Sequence, residues 1–160
     1  MLTLSKLSDY ALVLMTFLAT RDGCRASART LAEGTRIPMP TVVKLLKLLA
    51  AGGTLRSIQG RSGGYRLGRA PSEVSVREII ETVEGPIALT ECNRDAGNCV
   101  IEDSCQVQHH WLMINGALRH SLGNISLEDL TARKLQIDGA WQPLPAGTRR
   151  RRRAPKGSRV

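Results

Sequence analysis

Apolar residues along this chain change spacing twice, and the changes divide it into elements. Up to residue 53 the spacing is helical. Leu12, Val13, Met15, Phe17 and Leu18 cover most of a helix circumference, which predicts a first helix buried on most sides and capped by Ser8 or Ser5. Ser27 can cap a short second helix through Leu31 and Ala32, and Gly34 ends it as a residue that tolerates left-handed backbone. A turn of Thr35 to Ile37 follows. Pro40 then suits the first turn of a third helix, where Val42, Leu45, Leu46 and Leu49 recur at i, i+3, i+4 and i+7 before Gly52-Gly53. Next, Leu55 to Ile58 and Tyr65 to Leu67 alternate like strands around Gln59-Gly60-Arg61-Ser62-Gly63-Gly64, which predicts a β-hairpin with a glycine-rich tip.

Helical spacing returns at Ser75-Val76-Arg77-Glu78, a capping box opening a helix through Ile79, Ile80 and Val83 that Gly85-Pro86 terminates. Beyond a polar stretch, Val107, Trp111, Ile114, Leu118 and Leu122 form a long stripe closed by Gly123, and Ser126 starts one more short helix. The expected fold is mainly α with a small β-hairpin wing: a winged helix-turn-helix plus a long dimerisation helix. Its parts are a DNA-binding unit over 1–86, a cysteine loop over 87–106, and the long helix with a short terminal helix over 107–134. So long a stripe on a small chain needs a cover. Helix-turn-helix proteins usually pair to read two half-sites, so Val107, Trp111, Ile114 and Leu118 form the candidate dimerisation face, with packing onto the chain's own body as the alternative.

Charge sharpens this picture. The segment 34–72 carries +7 with no Asp or Glu, while 73–138 carries −6, out of a formal total of +9. Two helices with solvated lysines could be an ordinary helical hairpin. The basic β-hairpin behind them favours a winged helix-turn-helix on double-stranded DNA, with Thr41, Lys44 and Lys47 on the outer face of the third helix. In the wing, Arg56, Arg61, Ser62, Gly63, Gly64, Tyr65 and Arg66 complete the candidate DNA-binding set, the glycines allowing the backbone close to a phosphate or groove. Residues 142–160 hold Arg149 to Arg153, Lys156 and Arg159 after Pro143 and Pro145. They have too little apolar surface to fold, so a solvated tail is expected, adding at most non-specific attraction to phosphates.

No segment approaches the roughly 20 apolar residues of a membrane helix, and Asp9 before the short run Ala11 to Ala19 makes a poor signal peptide. A soluble, cytoplasmic protein is expected, in a compartment that keeps thiols reduced. Of its four cysteines, three fall within fourteen residues as Cys92-x6-Cys99-x5-Cys105, with His109 four residues beyond. Thiolates suit zinc or iron-sulfur clusters, and the wide gaps, with Gly97 giving slack, lean towards a cluster over zinc. Unligated buried cysteines and a thiol-disulfide switch remain open. Cys24 stands apart, and His120 is expected on a helix surface. A Cys105–His109 nucleophilic pair would lack an orienting group and a cleft, so an enzyme is not expected.

Linked motifs then carry a resemblance. The run from Ile37 to Lys47, the hairpin from Gly60 to Leu67 and the three cysteines resemble the winged-helix iron-sulfur regulators that include IscR and NsrR, over roughly residues 1–131. The segment from Glu84 to Cys92, with Trp111-Leu-Met-Ile-Asn115, looks most like the branch of SUF system iron-sulfur cluster assembly regulators. The resemblance implies a homodimeric DNA-binding regulator, usually a repressor, whose cluster state sets promoter occupancy. It implies that Cys92, Cys99 and Cys105 hold a cluster of the 2Fe-2S or 4Fe-4S type. IscR-like members use a His three residues after the last Cys, a position that is Gln108 here, so His109 or Asp9 is the candidate fourth ligand. Asp9 matches the aspartate that NsrR-like members supply from the partner subunit. The gap between Cys92 and Cys99 is one residue longer than in IscR. Alternatives are a nitric oxide or redox sensor of the same architecture, and a zinc-stabilised DNA-binding module without sensing.

Overall fold

The computed structural model describes residues 3–21, 25–60, 63–94 and 99–132. Helix α1 (Lys6–Ala19) starts at Ser5, whose side-chain oxygen accepts from the backbone N–H of Leu7 and Ser8 at 3.1 and 3.2 Å. Ser8 is therefore not the cap. It lies fully buried inside the helix and donates to Glu84 Oε1 at 2.6 Å, and Ser5 donates to the same oxygen. One stripe of α1 is buried, formed by Ala11, Leu14, Met15 and Leu18, while Leu12 and Phe17 are half-buried and Val13 is 43% exposed. The helix is thus less enclosed than its composition predicts: the face carrying Val13 meets an open apolar groove between α1 and the ends of two other helices.

Helix α2 (Ala28–Thr35) is capped by Ser27, which accepts from Thr30 N–H at 3.1 Å. It runs straight through Gly34, contrary to the expectation that this glycine ends it. A Cβ at Gly34 would stand 2.2 Å from Phe17 Cζ, so glycine lets α2 approach the α1 ring. The left-handed position is Arg36, at φ 58°. Such a backbone costs a non-glycine residue about 1–2 kcal/mol, offset here because the turn it makes carries Ile37 into the core. In α3 (Met39–Ala51), Pro40 sits in the first turn, and Val42, Leu45, Leu46 and Leu49 are fully buried, as their spacing predicts.

Strands β1 (Leu55–Ile58) and β2 (Gly64–Leu67) pair antiparallel, with Arg56 opposite Arg66 and Ser57 opposite Tyr65. A single-residue third strand joins them: Ala26 and Tyr65 exchange two backbone hydrogen bonds of 2.9 Å. Only glycine fits at position 64, where φ is 157° and a Cβ would stand 2.7 Å from Ala26 O. A short 3-10 turn, Pro71–Glu73, leads into α4 (Val76–Glu84), capped by Ser75 accepting from Glu78 N–H at 3.1 Å. The reciprocal half of the box is missing, because the Glu78 carboxylate pairs with Arg69.

After Gly85 come α5 (Glu91–Arg94), a 3-10 turn at Glu102–Ser104, the long α6 (Gln108–Gly123) and α7 (Leu127–Ala132). Val76 N–H donates to Ile125 O at 2.9 Å and Leu127 N–H to Val74 O at 2.8 Å, a short ladder that returns the chain to the first unit. Leu127 is fully buried in the same core as Leu14, Leu45 and Val74. Burying one leucine stabilises a fold by about 2 kcal/mol, so α7 closes the winged-helix core although sequence periodicity groups it with the long helix.

Candidate DNA-binding surface and cysteine loop

The face of α3 opposite its buried stripe presents Lys44 and Lys47 to solvent, with Thr41 half-buried beside them. In the wing, Arg56 and Arg66 are exposed and directly opposed across the two strands. Like charges so placed cost about 0.2–1 kcal/mol. Among the described residues the carboxylates pair with Arg69, Arg77 and Arg119, and none neutralises Lys44, Lys47, Arg56 or Arg66. An uncompensated positive surface therefore runs from α3 to the wing, suited to a polyanion. Gly63 N–H donates to Gly60 O at 2.8 Å and tightens the wing turn. Tyr65 is placed differently from its neighbours: it is half-buried, packed on the core, and bonded through its backbone to Ala26. Arg61 and Ser62 lie outside the described residues, as do Cys24 and the tail 142–160.

Cys92, in α5, is half-buried with its sulfur 3.2 Å from Thr90 Oγ1. Cys99 and Cys105, also half-buried, flank the 3-10 turn, where Cys99 O accepts from Glu102 N–H at 3.0 Å and Cys105 N–H donates to Glu102 O at 3.2 Å. None of the three forms a disulfide. Their chemistry fits a thiophilic metal or cluster: three free thiols share one loop, partly shielded from water. The geometry does not gather them, since among the described residues no three His, Cys, Asp or Glu side chains converge on a position that could hold a metal ion. Of the fourth-ligand candidates, His109 is exposed at the start of α6 and Asp9 is exposed in the first turn of α1. Gln108 is engaged elsewhere, donating to Glu102 Oε1 at 3.0 Å.

Two residues absent from the sequence-based site hold this loop. Asn115, in α6 and 6% exposed, accepts from Leu89 N–H and donates to Ile87 O, both at 3.1 Å. Glu81, in α4, accepts from Ile87 N–H at 3.3 Å and pairs with Arg119 of α6 at 3.1 Å. The signal for Asn115 was its position, four residues after Trp111 on the apolar side of a helix. A polar residue there needs partners.

The stripe on α6 divides in two. Val107, Trp111 and Ile114 are exposed together with Leu112 and Met113, the last at 62%. Leu118 turns inward and lines a cavity of about 400 Å³ with Leu4, Ile80, Ile87 and Leu122. Among the described residues, no helix is long and apolar enough to cross a membrane.

Comparison with known proteins supplies the family. Residues 4–133 match the Rrf2 family, described as an iron-dependent transcriptional regulator. The HTH-type transcriptional regulator NsrR of Bacillus licheniformis is 29% identical over 129 residues, which is 79% of this chain and 90% of that protein. The solved structure of CymR, the global cysteine regulator of B. subtilis, superposes with a TM-score of 0.66 at 28% identity, covering 83% of this chain and 98% of that one. The structure of T. potens IscR, at 23% identity and a TM-score of 0.65, covers 88% and 94% respectively and attests the fold alone. These relatives are transcriptional regulators, not enzymes. With a helix-turn-helix, a basic wing and a family match over most of its length, this chain belongs to the Rrf2 family of DNA-binding transcriptional regulators.

Proposed function

We propose that this chain is a homodimeric repressor that senses iron-sulfur cluster status and controls cluster-assembly genes of the SUF type. The observation that carries the reading is the junction of three half-buried free thiols with a winged-helix body on one side and an exposed apolar helix on the other. Cys92, Cys99 and Cys105 would hold the cluster, with His109 or Asp9 completing it, and the loop would have to close to bring them together. The cluster would supply a reversible, oxidation-sensitive crosslink. Lys44, Lys47, Arg56 and Arg66 bind phosphates, and Val107, Trp111 and Ile114 pair two copies so that two recognition helices read one promoter.

The test is anaerobic purification followed by a visible absorption spectrum, iron, sulfide and zinc analysis, and promoter binding with and without cluster at matched salt. Brown protein with matching iron and sulfide, and state-dependent binding, is the expected result. Colourless protein with one zinc per chain, and no cluster after reconstitution, would replace sensing by a structural zinc module, and chelation should then unfold it. The ungathered thiols favour one second reading, a redox sensor that cycles two of them through a disulfide. That protein would reconstitute no cluster yet would change DNA affinity on mild oxidation.

A further inference from the structure

Between Gly85 and Thr90 the chain is irregular, and its backbone groups find partners on two different helices. Ile87 N–H goes to Glu81 on α4, while Ile87 O and Leu89 N–H both go to the Asn115 amide on α6. Glu81 ties the same helices together directly, through Arg119 at 3.1 Å. Arg77, 3.8 Å from Glu81, lies against Gly123 at the far end of α6. Three residues beyond Leu89 comes Cys92, and its neighbour Asn93 is tied to α6 as well, donating to Trp111 O at 3.3 Å.

A buried amide with both halves bonded to one backbone segment has no inexpensive alternative. Displacing Ile87 and Leu89 would leave an amide donor, an amide acceptor and two backbone groups unpaired in a half-buried site. Small shifts are therefore resisted, and larger ones must carry α6 along or break the clamp, which is the behaviour of a two-state element.

We propose that Asn115, assisted by Glu81, is the positioning residue that couples the cysteine loop to the winged-helix unit. It holds Ile87–Leu89 in register between α4 and α6, so a rearrangement at Cys92 is passed to both helices instead of being absorbed in slack chain. The nature of the signal rests on the cluster-sensing reading above; the clamp itself does not.

The experiment uses the full chain as wild type, Asn115→Ala and Glu81→Ala. Amide hydrogen exchange in cluster-free protein should be at least about tenfold faster at Leu89 in N115A and faster at Ile87 in E81A, which removes the acceptor. Promoter affinity is then measured with and without cluster, on the operator fragment that the protein itself selects from random duplex DNA. In N115A the ratio between the two states should shrink about 3- to 30-fold, while binding to non-specific duplex stays unchanged because the basic surface is untouched. If N115A does not fold, E81A, on a part-exposed side chain, carries both measurements. Exchange at 87–89 as slow in the variants as in wild type would overturn the clamp. Faster exchange beside an unchanged ratio would reduce Asn115 to a structural role. A wild type with equal affinity in both states would remove the cluster-sensing reading and the coupling together, a result separate from either of these.

Discussion

Replacing Arg56 and Arg66 together by glutamine should weaken DNA binding and stabilise the fold. The two arginines face each other across β1 and β2 without a described carboxylate partner, so the pair costs the hairpin about 0.2–1 kcal/mol. Relief of that repulsion should raise the melting temperature by up to about 4 °C, and the gain should fade as salt screens the charges. On DNA the sign reverses. Each lost phosphate contact lowers the slope of log affinity against log salt by about 0.9, so the double variant should lose about 1.8. Between 50 and 200 mM salt, that slope difference amounts to about tenfold in relative affinity. Fluorescence anisotropy with any labelled duplex suffices, because the phosphate contribution is independent of sequence. Single variants sharpen the test: each should lose half of the slope yet recover most of the stability, since removing either charge ends the repulsion. An unchanged salt slope would show that the wing does not touch phosphates, and a drop in stability would show that the arginines do not oppose each other.

Three further outcomes are expected. Leu127→Ala should cost about 2–5 kcal/mol in urea denaturation, because it empties a fully buried site between α7 and α1; a loss below about 1 kcal/mol would contradict the placement of α7 in the core. Asp129 accepts from the hydroxyl and then the backbone N–H of Ser126, which holds its carboxyl below the usual value. A depressed folded pKa contributes stability that is fully present above the ordinary carboxylate value and is lost as pH falls from that value through the lowered one. Wild type and Asp129→Asn should therefore differ at neutral pH and converge below about pH 4, and a constant gap down to pH 2 would refute this. Ile114→Asp, in the exposed stripe of α6 proposed to pair two copies, should halve the mass seen by light scattering without altering binding to a single half-site; an unchanged mass would refute pairing through this stripe.

Some elements were legible because one local rule decided them. The four buried residues of α3 sit where a 3.6-residue period puts them, and the wing follows from alternation around glycines. Ser27 and Ser75 cap as their sequence context requires. Other features depend on neighbours distant in the chain. Gly34 looked like a helix end, but its lack of a side chain serves the Phe17 ring, and the left-handed turn fell to Arg36. Val13 and Leu14 are both apolar, yet the first is exposed and the second buried, because the packing of the other helices decides which side of α1 is inside. The strand at Ala26 is one residue long and has no periodicity to detect. For the site, sequence located the basic surface and the thiols but not Asn115 and Glu81, which hold the loop through its backbone groups at Ile87 and Leu89, and a backbone group carries no side-chain identity to read.

The ladder joining 74–76 to 125–127 gives α6 a fixed end. Its hydrogen bonds run between backbones, and the adjoining Leu127 is buried in the core, so the C-terminal end of α6 is pinned while its N-terminal end, which follows Cys105 in the chain, carries exposed apolar residues. A 16-residue helix is about 24 Å long, so a tilt of about 5° around that pivot swings the Trp111 end by about 2 Å. A two-fold axis near the swinging end would double the displacement between two copies. The helix would act as a lever whose short travel at the thiols becomes a change in the distance between two recognition helices.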